Sequence, residues 1–121
     1  MPEHLLEYRL RLKPGILRIL VTVDPEIPVP PKLYGGIERI VDGLVAELRS
    51  RGHVVGLSAH PDSECRADFF QPWPGRASNR LADSLRNTVA LLWAVRAFKP
   101  DVLHSFSRLV DLLPLLPGRL P

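Results

Sequence analysis

The stretch that decides the fold runs from residue 16 to residue 60, ILRILVTVDPEIPVPPKLYGGIERIVDGLVAELRSRGHVVGLSAH. It opens with a leucine-rich, β-branched run, ILRILVTV, bounded by Gly15 and by Asp24-Pro25, in which Arg18 is the only charge. A short apolar run with turn residues at both ends reads as a buried strand. Four prolines then crowd residues 24–34. Proline lacks the N–H and restricts the residue before it, so this segment is a stiff loop that neither continues a helix nor pairs inside a sheet. Beyond the glycine pair, Ile37, Ile40, Val41, Leu44, Val45 and Leu48 recur at the spacing of one helical face, which predicts a helix burying that stripe. Arg49 and Arg51 suit the negative helix end, Gly52 is placed for a left-handed cap, and VVGLSAH at 54–60 reads as a second strand. Strand, helix, glycine turn and strand make a βαβ unit.

Working outward, residues 61–79 are loop-rich, and ADFFQPW is the one candidate there for a short further strand. RLADSLRNTVALLWAVRAF predicts a second helix that buries Leu81, Leu85, Thr88, Val89, Leu92 and Val95 and stops at Lys99-Pro100. DVLHSF at 101–106 comes next as a strand, and a leucine-rich close is broken by Pro114 and Pro117. Residues 1–15 read as a leader ahead of one domain, 16–121. Alternating strands and helices argue an α/β class, a Rossmann-like parallel sheet with flanking helices and open sheet edges.

Composition narrows the functional classes. A chain of 121 residues has the length of one domain, and its 45% apolar and 24% charged shares are ordinary for a globular protein. The net charge of +3 comes from basic residues, mostly arginine, dispersed along the chain. Dispersal reads as a solvated surface, with no nucleic-acid footprint. Arg76, Arg80, Arg86 and Arg96 do lie alongside the stripe of the second helix, which leaves a membrane surface as a possible partner. The lone Cys65 excludes an internal disulfide and a cysteine zinc cluster. Glu3 and Glu7 interrupt the N-terminus, so it does not read as a signal peptide, and no run approaches the ~18 to 20 apolar residues of a span. The expected location is cytoplasmic, at most peripheral to the inner membrane.

In an open α/β sheet, ligands bind beyond the carboxyl ends of the strands. The loops DPEIPVPPKLYGG, HPDSE and HSFSR therefore converge on one rim. Gly35 and Gly36 admit three readings: a plain turn, a helix start, or bare backbone that an anion approaches at the positive helix end. They match neither a dinucleotide fingerprint nor a phosphate-binding Walker loop. Glu38 falls in the first helical turn, where an acid stabilises the dipole by about 0.3 to 1 kcal/mol, or alternatively bonds a substrate hydroxyl. His60 and His104 fall at strand ends on the rim, as structural groups or as catalysts. Histidine spacing gives no metal site, and Ser105 and Ser107 form no nucleophile elbow.

These residues, taken in order, resemble the N-terminal domain of GT-B fold glycosyltransferases, particularly the retaining enzymes of family 4. The first strand, the proline-rich loop, the double-glycine helix start, the LRSRGHVV turn and the second strand carry the resemblance across 16–64, and KPDVLHSFSR carries it across the later strand. The resemblance implies transfer of a hexose from a nucleoside diphosphate sugar to an acceptor with retention, and it calls for no separate cofactor. It implies that Gly35 and Gly36 approach the donor diphosphate, that Tyr34, Glu38, His60 and Arg108 line the substrate side, and that His104 is the catalytic candidate. Family members often carry a second histidine where this chain has Phe106. The resemblance also implies that the chain is a partial domain, inactive without a C-terminal domain or partner chain. The alternatives are one half of a split enzyme or a non-catalytic interaction protein.

Overall fold

The computed structural model describes residues 15–75 and 81–107. The leader, Arg76, Arg80, Arg108 and the leucine-rich close lie outside the described residues, apart from Gly15 and Ser107 at their borders. The elements are β1 (Arg18–Val23), α1 (Gly36–Ser50), β2 (Val54–Ala59), β3 (Phe69–Pro72), α2 (Leu81–Phe98) and β4 (Val102–Phe106). All strand pairs are parallel and the sheet order is β3-β2-β1-β4. This is the Rossmann-like α/β arrangement read from the sequence, and ADFFQPW does supply a strand, β3.

Strand alternation assigns the two faces. Ile19, Val21 and Val23 of β1 share a face with Val55, Leu57 and Ala59 of β2 and join Val41 and Val45 of α1 in one buried cluster. Leu20 lies on the other face with Leu91, Ala94, Val95 and Phe98 of α2 and with Trp73. Gly56 belongs to that second face, and a Cβ there would stand 3.1 Å from Leu20 and 3.2 Å from the Phe98 ring, so its bareness lets the ring sit on the sheet. The charge in β1 is also accounted for. Arg18 donates to the Phe98 carbonyl at the C-terminal end of α2 and lies over the Phe98 ring at 4.3 Å. A cation there complements the negative helix end.

Both helices bury only part of the stripe that the spacing predicts. In α1 the buried set is Glu38, Val41 and Val45, whereas Ile37 and Ile40 are exposed. The inward face is turned because the head of the helix rests on the proline-rich loop, whose Val29 is fully buried in the same cluster. In α2 the buried set is Ser84, Asn87, Leu91, Ala94, Val95 and Phe98, while Leu81, Leu85 and Val89 point outward with Trp93. Asn87 decides that rotation: its side chain accepts from the Gly75 N–H at 2.8 Å and donates to the Gly75 carbonyl at 3.0 Å. Gly75 approaches so closely that a Cβ would stand 2.6 Å from the Asp83 backbone. At the end of α1, Gly52 adopts φ 91°, the left-handed cap expected of it, and its N–H donates to the Arg49 carbonyl.

Candidate functional site

The topology singles out one position on the rim. From β1 the chain moves outward to β2 and β3, then returns to place β4 on the opposite side of β1. The strand order therefore reverses between β1 and β4, and a crevice opens beyond the carboxyl ends at such a switch point. The proline-rich loop and the head of α1 come after β1 at this rim, and Ser107 comes after β4.

The loop is held from below by its one fully buried aliphatic residue. The Val29 N–H donates to Ser63 Oγ at 2.9 Å, and the Val29 carbonyl accepts from the N–H groups of Glu64 and Cys65 at 2.9 and 2.8 Å. These bonds tie the loop after β1 to the loop after β2. His60 sits at the start of the latter, where Nδ1 accepts the Asp62 N–H at 3.0 Å and the carbonyl accepts the Ser63 N–H. Its imidazole is thus engaged in its own turn, one strand away from the switch point. Trp73 anchors the other side, donating Nε1–H to the Val23 carbonyl at 2.6 Å from a fully packed position.

At the head of α1 the four adjacent candidates part ways. Tyr34 is 91% exposed beside the helix start. Gly35 is buried, and a Cβ on it would meet Pro31 Cβ at 2.8 Å and Glu38 Oε2 at 3.1 Å. Its bareness serves packing, and its φ of 170° is extended backbone open to any residue. Gly36 differs: among the described residues a Cβ there meets nothing within 4 Å. Among the described residues no side chain caps this helix start, and the first amide groups of a helix have no partner within it. Glu38 is turned inward beneath the loop and is 7% exposed, where the sequence expectation had it serve the dipole from the surface or face a cleft.

His104 is not at the strand end. It is the middle residue of β4, paired with Val21, exposed on the face that α1 shares and stacked on Phe106 with ring centroids 4.8 Å apart. The strand continues two residues further because Phe106 packs into the cluster under α1 and Val23 pairs with it. The strand ends at Phe106, as the run DVLHSF suggests, and this leaves His104 two residues inside it. Arg108 lies outside the described residues.

One group that the sequence reading did not assemble, although it weighed Ser105 and Ser107, stands at the switch point. Thr22 Oγ1, Ser105 Oγ and Ser107 Oγ form a closed triangle, with 2.9, 3.0 and 2.9 Å between them. Thr22 pairs with Ser105 on one side and Ser58 on the other. Ser58 Oγ is fully buried and finds no partner among the described residues. Hydroxyls in otherwise apolar strands, at matching distances from the carboxyl ends, are the signal that would have revealed this row.

Among the described residues no cluster of three or more His, Cys, Asp or Glu side chains converges as a metal site would require. Cys65 is half-buried away from the switch point, and its thiol is pushed up to about 12, chiefly by burial and then by its hydrogen bond to the Asp42 carboxylate. A thiol held protonated is a poor nucleophile.

Comparison with known families finds a match over residues 34–120, to the model described as Glycosyltransferase Family 4. The match begins at Tyr34 and takes in α1, β2, β3, α2 and β4. No curated protein matches the chain.

Proposed function

The chain belongs to glycosyltransferase family 4, and from that premise we propose that its GT-B-type domain forms the acceptor side of an enzyme that moves a hexose from a nucleoside diphosphate sugar with retention. The observation that carries this reading is the uncapped head of α1 beside the β1–β4 switch point, with open space over Gly36. The diphosphate approaches the backbone there. Gly36 supplies the clearance, while Gly35 holds the loop close enough for the helix to begin at that place.

Magnitudes set the limits of this half-site. A helix N-terminus contributes about 0.3 to 1 kcal/mol to an anion, up to about 2 in partly buried geometry. Micromolar binding needs about 8 kcal/mol. The donor therefore draws most of its affinity from cations on a second domain or partner chain, and the chain alone turns over little or no donor. In this reading Tyr34 lies free to pack on the sugar or acceptor, His60 and Arg108 line the acceptor side, and Glu38 acts on substrate through the loop it supports. His104 is the catalytic candidate, reached from the face it shares with α1.

The test is Gly36→Asp, measured in the chain joined with the domain or partner that completes the donor site. A carboxylate at the helix head is tolerated by the fold and favoured by the dipole, yet it repels a diphosphate. Donor affinity is expected to fall by about tenfold or more, as expected for an uncompensated like charge at the anion site, with the melting temperature unchanged or raised. Unchanged donor affinity would sink the diphosphate assignment.

A further inference from the structure

We propose that Thr22, Ser105 and Ser107 are positioning residues for the transfer reaction: their hydroxyl triangle clasps the end of β4 and thereby aims His104. His104 takes its role from the sugar-transfer reading, whereas the clasp itself depends on no substrate. The ladder between β1 and β4 ends where Val23 pairs with Phe106, so strand pairing does not hold Ser107. The triangle does. The Ser107 N–H donates to Ser105 Oγ at 3.1 Å, and Ser107 Oγ lies 3.0 Å from Thr22 Oγ1 and 2.9 Å from Ser105 Oγ.

The hydrogens in this triangle run one way. Thr22 Oγ1 donates to Ser105 Oγ at 2.9 Å. With the Ser107 N–H as its second donor, Ser105 Oγ has used both lone pairs. Its own hydrogen therefore goes to Ser107 Oγ, and the Ser107 hydroxyl hydrogen goes to Thr22. In such a ring every hydroxyl both donates and accepts, and each bond polarises the next. Thr22 is fully buried, with β2 on one side and β4 on the other, so the ring is anchored inside the sheet. Ser58 stands beside Thr22 on β2 and is equally buried, yet its Oγ has no partner among the described residues and stays outside the ring.

Strand alternation carries the hold to the opposite face. Ser105 and Ser107 flank Phe106, whose side chain packs into the cluster under α1 and stacks on His104, with ring centroids 4.8 Å apart and 15° between the planes. His104 is exposed, and this stack sets the plane of its imidazole. Clasping the residues on both sides of Phe106 fixes the stack. A misplacement of about 1 Å can cost about a hundredfold in rate. A clasp on the last residues of β4 is therefore felt in turnover before it is felt in stability.

The experiment has two arms. Amide hydrogen exchange on the full chain reads the clasp: in Ser105→Ala and in Thr22→Val the Ser107 amide should exchange about tenfold faster, as expected for one lost hydrogen bond. Val21 and Leu103, inside the ladder, should exchange as before, and Thr22→Ser should restore protection at Ser107. Steady-state transfer, in the chain joined with the domain or partner that completes the donor site, reads the aiming. Thr22→Val should lower kcat about tenfold or more with the donor KM unchanged, and Thr22→Ser should recover it. Ser58→Ala, in the same row but outside the ring, should transfer at the wild-type rate. Because the clasp acts through His104, Thr22→Val should add no further loss to His104→Ala. Unchanged exchange at Ser107 in both variants would overturn the proposal, as would faster exchange with unchanged kcat or a Thr22→Val loss that adds in full to that of His104→Ala. Wild-type turnover in His104→Ala would remove the role of His104 and the aiming with it, while Gly36→Asp reports on the donor site separately.

Discussion

The two helices cover opposite faces of one sheet with different means. α1 inserts Val41 and Val45 into a valine-rich face and lets its head rest on the loop that carries Val29. α2 meets the other face largely through small and polar residues in its first half, Ser84 and Asn87, and through Leu91, Ala94, Val95 and Phe98 further on. The bulk on that side comes from the sheet and its loops, from Trp73, Phe69 and Leu20. The difference teaches that a helix need not bury its largest residues. Where an aromatic fills the space from below and a buried amide holds the backbone, the larger side chains are left for another surface.

That contrast can be broken experimentally, beginning with the bond that holds α2 in its rotation. Asn87→Ala would leave the buried Gly75 N–H and carbonyl without their partner, each costing about 1 to 3 kcal/mol. A loss of about 4 kcal/mol is expected from urea unfolding, against less than about 0.5 kcal/mol for Leu85→Ala on the outward face. Comparable losses for the two would mean that the outward strip is buried in solution.

In α1, Val45→Ala should cost about 2 kcal/mol because it opens a cavity, while Ile40→Ala should cost less than about 0.5 kcal/mol. A calorimetric melting series separates them, and comparable losses for the two would restore the face that spacing alone predicts. The glycine pair sharpens the same comparison at the helix head. Gly35→Ala is expected to cost about 1.5 kcal/mol, since its Cβ meets Pro31 at 2.8 Å. Gly36→Ala should be neutral or slightly stabilising, because the space over it is open and alanine has the better helix propensity.

The smallest effect concerns Cys65, between α1 and the loop after β2. Its folded pKa is raised from 9.0 to about 12. The protonated thiol is favoured in the folded state, so its contribution to stability is intact below pH 9 and is lost as pH rises toward about 12. Melting temperature should fall more steeply above pH 9 than it does for Cys65→Ser. Thiol reagents should react slowly with the native protein at pH 8 and readily once it is unfolded in urea.

Much of the fold was legible because the signals were local. Gly15, Asp24-Pro25, the four prolines and Gly52 punctuate the chain so clearly that β1, α1 and β2 can be drawn from residues within one turn of each boundary. Gly36 at the helix head was legible for the same reason. The face of α2 was not, because apolar residues lie on two sides of it. Leu81, Leu85, Val89 and Trp93 compete with Leu91, Val95 and Phe98, and the hydrogen bonds from Asn87 to Gly75, twelve residues away, break the tie. The burial of Glu38, the position of His104 inside β4 and the Thr22–Ser105–Ser107 triangle depend on contacts between segments distant in the chain.

By itself, then, the sequence determined the order of elements and the rim on which its polar loops gather, since turn chemistry and periodicity act over a few residues. Tertiary structure alone decided which part of each helix's apolar stripe is buried, and which of two neighbouring glycines is bare for packing and which for open space. Those outcomes depend on close packing between elements that meet only after folding, and no periodicity along the chain encodes the shape of the neighbour.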